Sequence, residues 1–70
     1  MAIRLKRERE KRDWTRAELA RRAAMSAADV GKIEAGRVIP YPSQLKKLAK
    51  ALGLRLQDPA ALLNAESGDE

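Results

Sequence analysis

The chain has 70 residues, 15 Lys/Arg against 10 Asp/Glu, and a net charge of +5. It has no cysteine and no histidine, which excludes disulfides and removes the usual ligands of structural zinc. One domain of this length, near the lower limit for unaided folding, has to be held by helix packing, with or without a partner subunit.

Residues 3–12, Ile3 to Arg12, predict a first helix with a thin apolar stripe, Ile3 and Leu5. Charged pairs at three- and four-residue spacing support it weakly. Asp13 and Trp14 connect it to a second helix, expected from Arg16 to Ala23. Ala24 and Met25 turn the chain, and a third helix is expected from Ala27 to Ala35, ended by Gly36 as a C-cap glycine ends one. Helices two and three each carry a start signal. Thr15 precedes Glu18 by three residues, and Ser26 precedes Asp29 by three. In each pair the hydroxyl can accept from a first-turn amide while the acid reaches back to the cap amide. The two prolines of Arg37-Val38-Ile39-Pro40-Tyr41-Pro42 exclude regular helix there. A fourth helix follows from Ser43 to Leu52, with Leu45, Leu48, Ala49 and Leu52 on one face, and Gly53 ends it. Asp58 then Pro59 reads as a cap and a first-turn proline, so a short fifth helix is expected over Pro59–Asn64. No strand pattern and no internal repeat is visible. The expected organisation is an all-α domain over 1–64 and an acidic tail over 65–70, expected to be disordered.

Two short helices around a tight turn, with Leu19, Ala20, Val30 and Ile33 placed to be buried between them, make the skeleton of a helix-turn-helix. That device lays one helix in the major groove of DNA. At about 100° per residue, Val30 and Ile33 share one side of helix three. Ala27, Gly31, Ala35, Ala28 and Lys32 form the opposite, exposed arc. A glycine inside a helix costs about 1 kcal/mol relative to alanine. Gly31 therefore marks either a close approach to the backbone or a tolerated blemish.

Charge is divided unevenly. Residues 1–16 hold seven Lys/Arg against three acids, residues 17–50 again seven against three, and residues 51–70 one against four. The basic part carries the motif. It suits a polyanion, because release of phosphate counterions drives binding, and it equally describes a solvated helical surface.

The stretch from Leu19-Ala20 through Ile33-Glu34-Ala35-Gly36, then Pro40, Leu45, Leu48-Ala49 and Leu52-Gly53, resembles the lambda-repressor-like, Cro/repressor or XRE-type, DNA-binding domains. The likeness runs from about Leu5 to Leu63 without insertion, and implies a compact five-helix fold and binding to double-stranded DNA. It further implies that Ala27, Ala28, Gly31 and Lys32 meet base edges, and that Arg9, Arg16, Ser26, Arg37, Tyr41 and Gln44 meet phosphate. Arg9 and Glu34 match a pair that ties helix one to helix three in such proteins. The chain departs from the pattern at Ala24, where glycine is usual in the turn. It departs again at Glu8, where an apolar residue is common, and at Ala27 and Ala28, where long polar side chains often read bases.

Lys32 is the long donor of the exposed arc and can donate to guanine O6 and N7, and Ala27 and Ala28 can pack on thymine methyl groups. Other aromatic and basic residues have plainer readings. Trp14 is expected in the core, Tyr41 at a phosphate or simply packed, Arg21 and Arg22 solvated, and Lys46, Lys47 and Lys50 along a helix whose dipole they suit. Without histidine or cysteine, and without a carboxylate pair near serine or lysine, no enzyme is expected. No cofactor, metal or small-molecule ligand is expected either.

The reading is a sequence-specific transcriptional regulator, a Cro-like repressor that binds a palindromic operator as a homodimer. Its dimer contact is expected near Leu54, Leu56, Leu62 and Leu63. No apolar run approaches the roughly 20 residues of a membrane span and no signal-peptide pattern is present, so it is expected in the cytoplasm at the nucleoid. Two other classes stay open. One is an antitoxin or adaptor that docks its Ala/Gly face on a protein, and the other is an architectural DNA binder with little sequence preference.

Overall fold

The computed structural model describes residues 2–66, and the side chains of 3–65. Among them run α1 (Arg4–Lys11), α2 (Arg16–Ala23), α3 (Ala27–Glu34) and α4 (Pro42–Ala51). A two-residue strand, β1 (Ala2–Ile3), precedes α1, and a second, β2 (Ala65–Glu66), follows a 3₁₀ turn over Pro59–Leu63. The fold is thus all-helical apart from one short antiparallel bridge.

The core takes a residue from every helix. Leu5 of α1, Leu19 of α2, Val30 and Ile33 of α3, Leu48 of α4 and Leu62 of the 3₁₀ turn are at most 1% exposed. Each aliphatic side chain buried this fully contributes about 1.5–3 kcal/mol. α2 packs on both α3 and α4, and the 3₁₀ turn packs on α1 and α4. The tail half of the chain therefore closes the bundle and fixes where α3 presents its outer face.

All four α-helices end the same way. A left-handed residue just past the helix lets two amides fold back onto the last carbonyls. Gly36 donates to Ile33 O and Arg37 to Lys32 O after α3, and Gly53 donates to Lys50 O and Leu54 to Ala49 O after α4. The same double bond closes α1 at Asp13 and α2 at Ala24, although both are non-glycine residues at φ 56°. An alanine held there costs about 1–2 kcal/mol. Trp14, expected in the core, is half-buried against it, with the Arg22 and Arg12 guanidiniums 4.3 and 5.7 Å from its ring centre.

Two expectations are corrected. Among the described residues there are four α-helices, not five, because Pro59–Leu63 is a 3₁₀ turn. It closes by the three-residue bonds Ala61 N to Asp58 O and Asn64 N to Ala61 O, and Asp58 caps it by accepting from Ala60 N at 3.0 Å. Five residues leave too little room for a regular α ladder. Second, a strand pair exists where no pattern showed one. Ala2 pairs with Glu66 and Ile3 with Ala65, and Arg4 N donates to Asn64 O at 2.8 Å. Two residues are too few to carry a visible alternation. The rest of the acidic tail, 67–70, lies outside the described residues. The C-terminal leucines, near which the dimer contact is expected, are turned at least in part toward the core. Leu62 is 0% exposed, and Leu54, Leu56 and Leu63 pack against the chain's own core.

Candidate nucleic-acid interface

α2 and α3 are joined by Ala24, Met25 and Ser26. The left-handed Ala24 reverses the chain, half-buried Met25 pins the turn to the core, and Ser26 starts α3. Ser26 Oγ accepts from Asp29 N at 3.0 Å, and Thr15 Oγ1 accepts from Glu18 N at 3.0 Å. Only the hydroxyl half of each box forms. The Glu18 carboxylate turns instead to Arg21 and Arg22, whose bonds, that of Arg21 foremost, hold it below the ordinary carboxylate range.

With Val30 and Ile33 buried, α3 turns Ala27, Ala28, Lys32 and the following Ala35 to solvent. Beside this face lies an open cleft of about 360 Å³ lined by Arg16, Ala28, Gly31, Lys32, Ala35 and Arg37. Its floor is alanine and glycine, its rim is three cations, and no acid lines it. Gly31 sits under the Arg16 side chain. A methyl group built at Gly31 meets Arg16 Cδ at 3.7 Å, an ordinary contact, so the chain's own packing does not require glycine there.

Glu34 lies behind the cleft with its side chain 1% exposed. Its carboxylate accepts from Arg9 Nε at 2.7 Å, from Arg9 Nη2 at 3.1 Å and from Arg16 Nε at 3.3 Å. Arg9 Nη1 donates to Trp14 O at 2.8 Å. One carboxylate thus serves two guanidiniums and leaves a net positive charge. The Glu34 bond raises the Arg9 pKa further, so Arg9 stays a cation. Arg16 is held by the stem end of its guanidinium while the side chain remains 54% exposed, a guanidinium anchored yet open to solvent.

The structure gathers Arg16, Ala28, Gly31, Lys32 and Arg37 into the cleft, together with Ala35, which lies on the same arc. Ala27 and Ser26 are exposed at the start of α3, outside the cleft lining. Tyr41 is 72% exposed in the loop before α4. Gln44 is half-buried, and its Oε1 accepts from Tyr41 N at 2.9 Å, capping α4. Arg9 stands apart. It is 9% exposed and gives one bond from each guanidinium nitrogen to Glu34 or Trp14, a tether rather than a surface cation. The tie between Arg16 and Glu34 escaped the sequence reading, because nothing in a spacing of 18 residues signals it.

A family model described as a helix-turn-helix domain matches residues 1–63. The chain belongs to the helix-turn-helix domain family. The match spans the bundle from α1 to the 3₁₀ turn and agrees with the lambda-repressor-like, XRE-type character of its motif. No characterised protein and no solved structure matches the chain. No helix among the described residues is long and apolar enough to cross a membrane.

Proposed function

We propose that this helix-turn-helix chain is a sequence-specific regulator of transcription, a small Cro-like repressor that reads a palindromic operator as a homodimer. The observation that carries the reading is the cleft beside α3, with three cations around a floor of Ala28, Gly31 and Ala35. In this reading α3 enters the major groove, and the absence of bulk at Gly31 lets its backbone come close to the bases. Lys32 donates to a guanine edge, and Ala27 and Ala28 pack on thymine methyls. Arg16 and Arg37 meet phosphates on either side of the groove, as do the Ser26 hydroxyl, the Tyr41 hydroxyl and the Gln44 amide nitrogen. These contacts set register, while base contacts set sequence. With one long donor on the reading face, direct readout is modest, and half-site spacing and DNA shape supply the rest. Two heads related by a two-fold axis double the contacts of one.

The docking of this face on a protein, as in an antitoxin or adaptor, is supported by the Ala/Gly floor and opposed by the cationic rim. Salt dependence separates the two. Each phosphate neutralised contributes about −0.9 to the slope of log K against log salt. Anisotropy of a labelled duplex should follow that law, and Arg37→Ala should weaken binding to all sequences and flatten the slope by about one. Absence of duplex binding at low salt would overturn the reading, and an unchanged slope would remove Arg37 from it.

A further inference from the structure

Among the described residues, the large apolar side chains left exposed are Val38 at 43%, Ile39 at 91% and Tyr41 at 72%. All three stand on the loop between α3 and α4. That loop is held in place from within. Pro40, between Ile39 and Tyr41, is buried, and its ring fixes the local backbone. Ile39 is therefore an apolar knob on an anchored loop.

Three residues along the chain begins an apolar pocket of about 120 Å³, lined by Pro42, Leu45, Lys46, Asp58, Pro59 and Ala60. Its size is close to that of the apolar cavity of about 150 Å³ that takes a benzene ring, and so suits one branched aliphatic side chain. Ile39, being 91% exposed, does not fill the pocket of its own chain. A two-fold axis turns this arrangement into a self-complementary surface, with each knob in the other copy's pocket. The two charges on the pocket rim fit the same geometry. Lys46 and Asp58 have opposite sign, so a two-fold that brings one copy's Lys46 over the other's Asp58 gives two attractive pairs and no like-charge clash.

We infer that the partner of this surface is a second copy of the chain, with Ile39 of each protomer seated in the Pro42–Leu45–Pro59–Ala60 pocket of the other. The inference rests on the homodimer reading and gives it a contact. One loop and one pocket per copy make a small interface, well below the roughly 1,200 Å² of stable complexes. Free protomers associate weakly, and the contact acts chiefly when two adjacent half-sites hold two heads side by side.

The test uses the full chain. In an equal mixture of isotope-labelled and unlabelled protein at high concentration, Ile39 methyls should show intermolecular nuclear Overhauser contacts to Ala60 and Pro59, and their resonances should shift on dilution. Ile39→Ser, at a solvent-exposed position, should keep the fold and abolish the dilution-dependent shifts of the Ala60 and Pro59 resonances shown by the parent. On a duplex with two half-sites the second head should bind about tenfold more tightly than the first, and the uncharged variant Ile39→Ser should lose that factor while keeping the affinity for a single half-site. Concentration-independent spectra, or intermolecular contacts on another face, would overturn the inference. So would a loss of single-site affinity in Ile39→Ser, which would assign the loop to DNA or to another partner. Ile39 contacts in a protein that binds no DNA would leave this inference standing and overturn the regulator reading alone.

Discussion

Replacing Gly31 by alanine separates what the fold requires from what a ligand requires. The new methyl would stand 3.7 Å from Arg16 Cδ, so nothing has to move. Gly31 lies within α3, at a helical φ, and exchanging a mid-helix glycine for alanine stabilises by about 1 kcal/mol. For a domain of this size that corresponds to a rise in melting temperature of roughly 4–8 °C. The methyl also projects onto the cleft floor between Ala28 and Ala35, where α3 is proposed to meet the bases. Affinity for the operator should therefore fall, by about tenfold if the displaced contact is worth about 1.4 kcal/mol. Thermal melting by circular dichroism and duplex binding by anisotropy, on the same preparation, read the two effects. A variant that melts higher and binds DNA as tightly as the parent would refute close approach at Gly31 and leave the glycine a tolerated blemish. A lower melting temperature would refute the packing argument itself.

Three other expectations follow from the same geometry. Lys32→Ala should relax base preference at one position of each half-site, read by binding to a panel of single-base operator variants. Uniform weakening across that panel would make Lys32 a phosphate contact. Ala24→Gly should stabilise the fold by about 1 kcal/mol, because alanine at φ 56° carries a Cβ penalty that glycine lacks. An unchanged urea midpoint would mean that the position carries no strain. Burial pushes the Glu8 carboxyl up, but the bond from Arg12, the charges of Lys11 and Arg12 and the contact with Arg4 outweigh it, and its pKa lies below the ordinary 4.5. The stabilisation from Glu8 is thus complete above about pH 4.5 and is lost as pH falls through the lower folded value. Urea unfolding of Glu8→Gln against pH should show a flatter acid limb than the parent. Parallel curves would show that Glu8 does not contribute.

Much of this arrangement could be read from residue types alone, and the failures have physical causes. Gly36 and Gly53 marked two helix ends because glycine is the residue a left-handed position favours. Asp13 adopts the same conformation without announcing it, since aspartate is as common in caps and turns. The bounds of α2 were legible from Thr15 and the turn, and the outward arc of α3 followed from Val30 and Ile33. The tie from Arg16 to Glu34 was not legible, because it joins the start of one helix to the end of the next and depends on their crossing. The packing of the tail leucines was not legible for a related reason. Apolar residues in a short segment demand burial, but their sequence does not say whether their own core or a second copy supplies it. Here Leu62 fills the bundle, and the exposed large apolar side chains among the described residues are Val38, Ile39 and Tyr41, beside Pro40 and Pro42, which draw attention to the backbone rather than to these side chains.

The most direct test of DNA reading by the α3 face is selection of bound duplexes from a random pool by the purified chain, at low and at moderate salt. The expected result is salt-sensitive retention and enrichment of a palindrome whose half-sites lie about one helical turn, 10–10.5 base pairs, apart. Retention without an enriched sequence would contradict sequence-specific regulation, and no retention at either salt would contradict DNA binding by this chain.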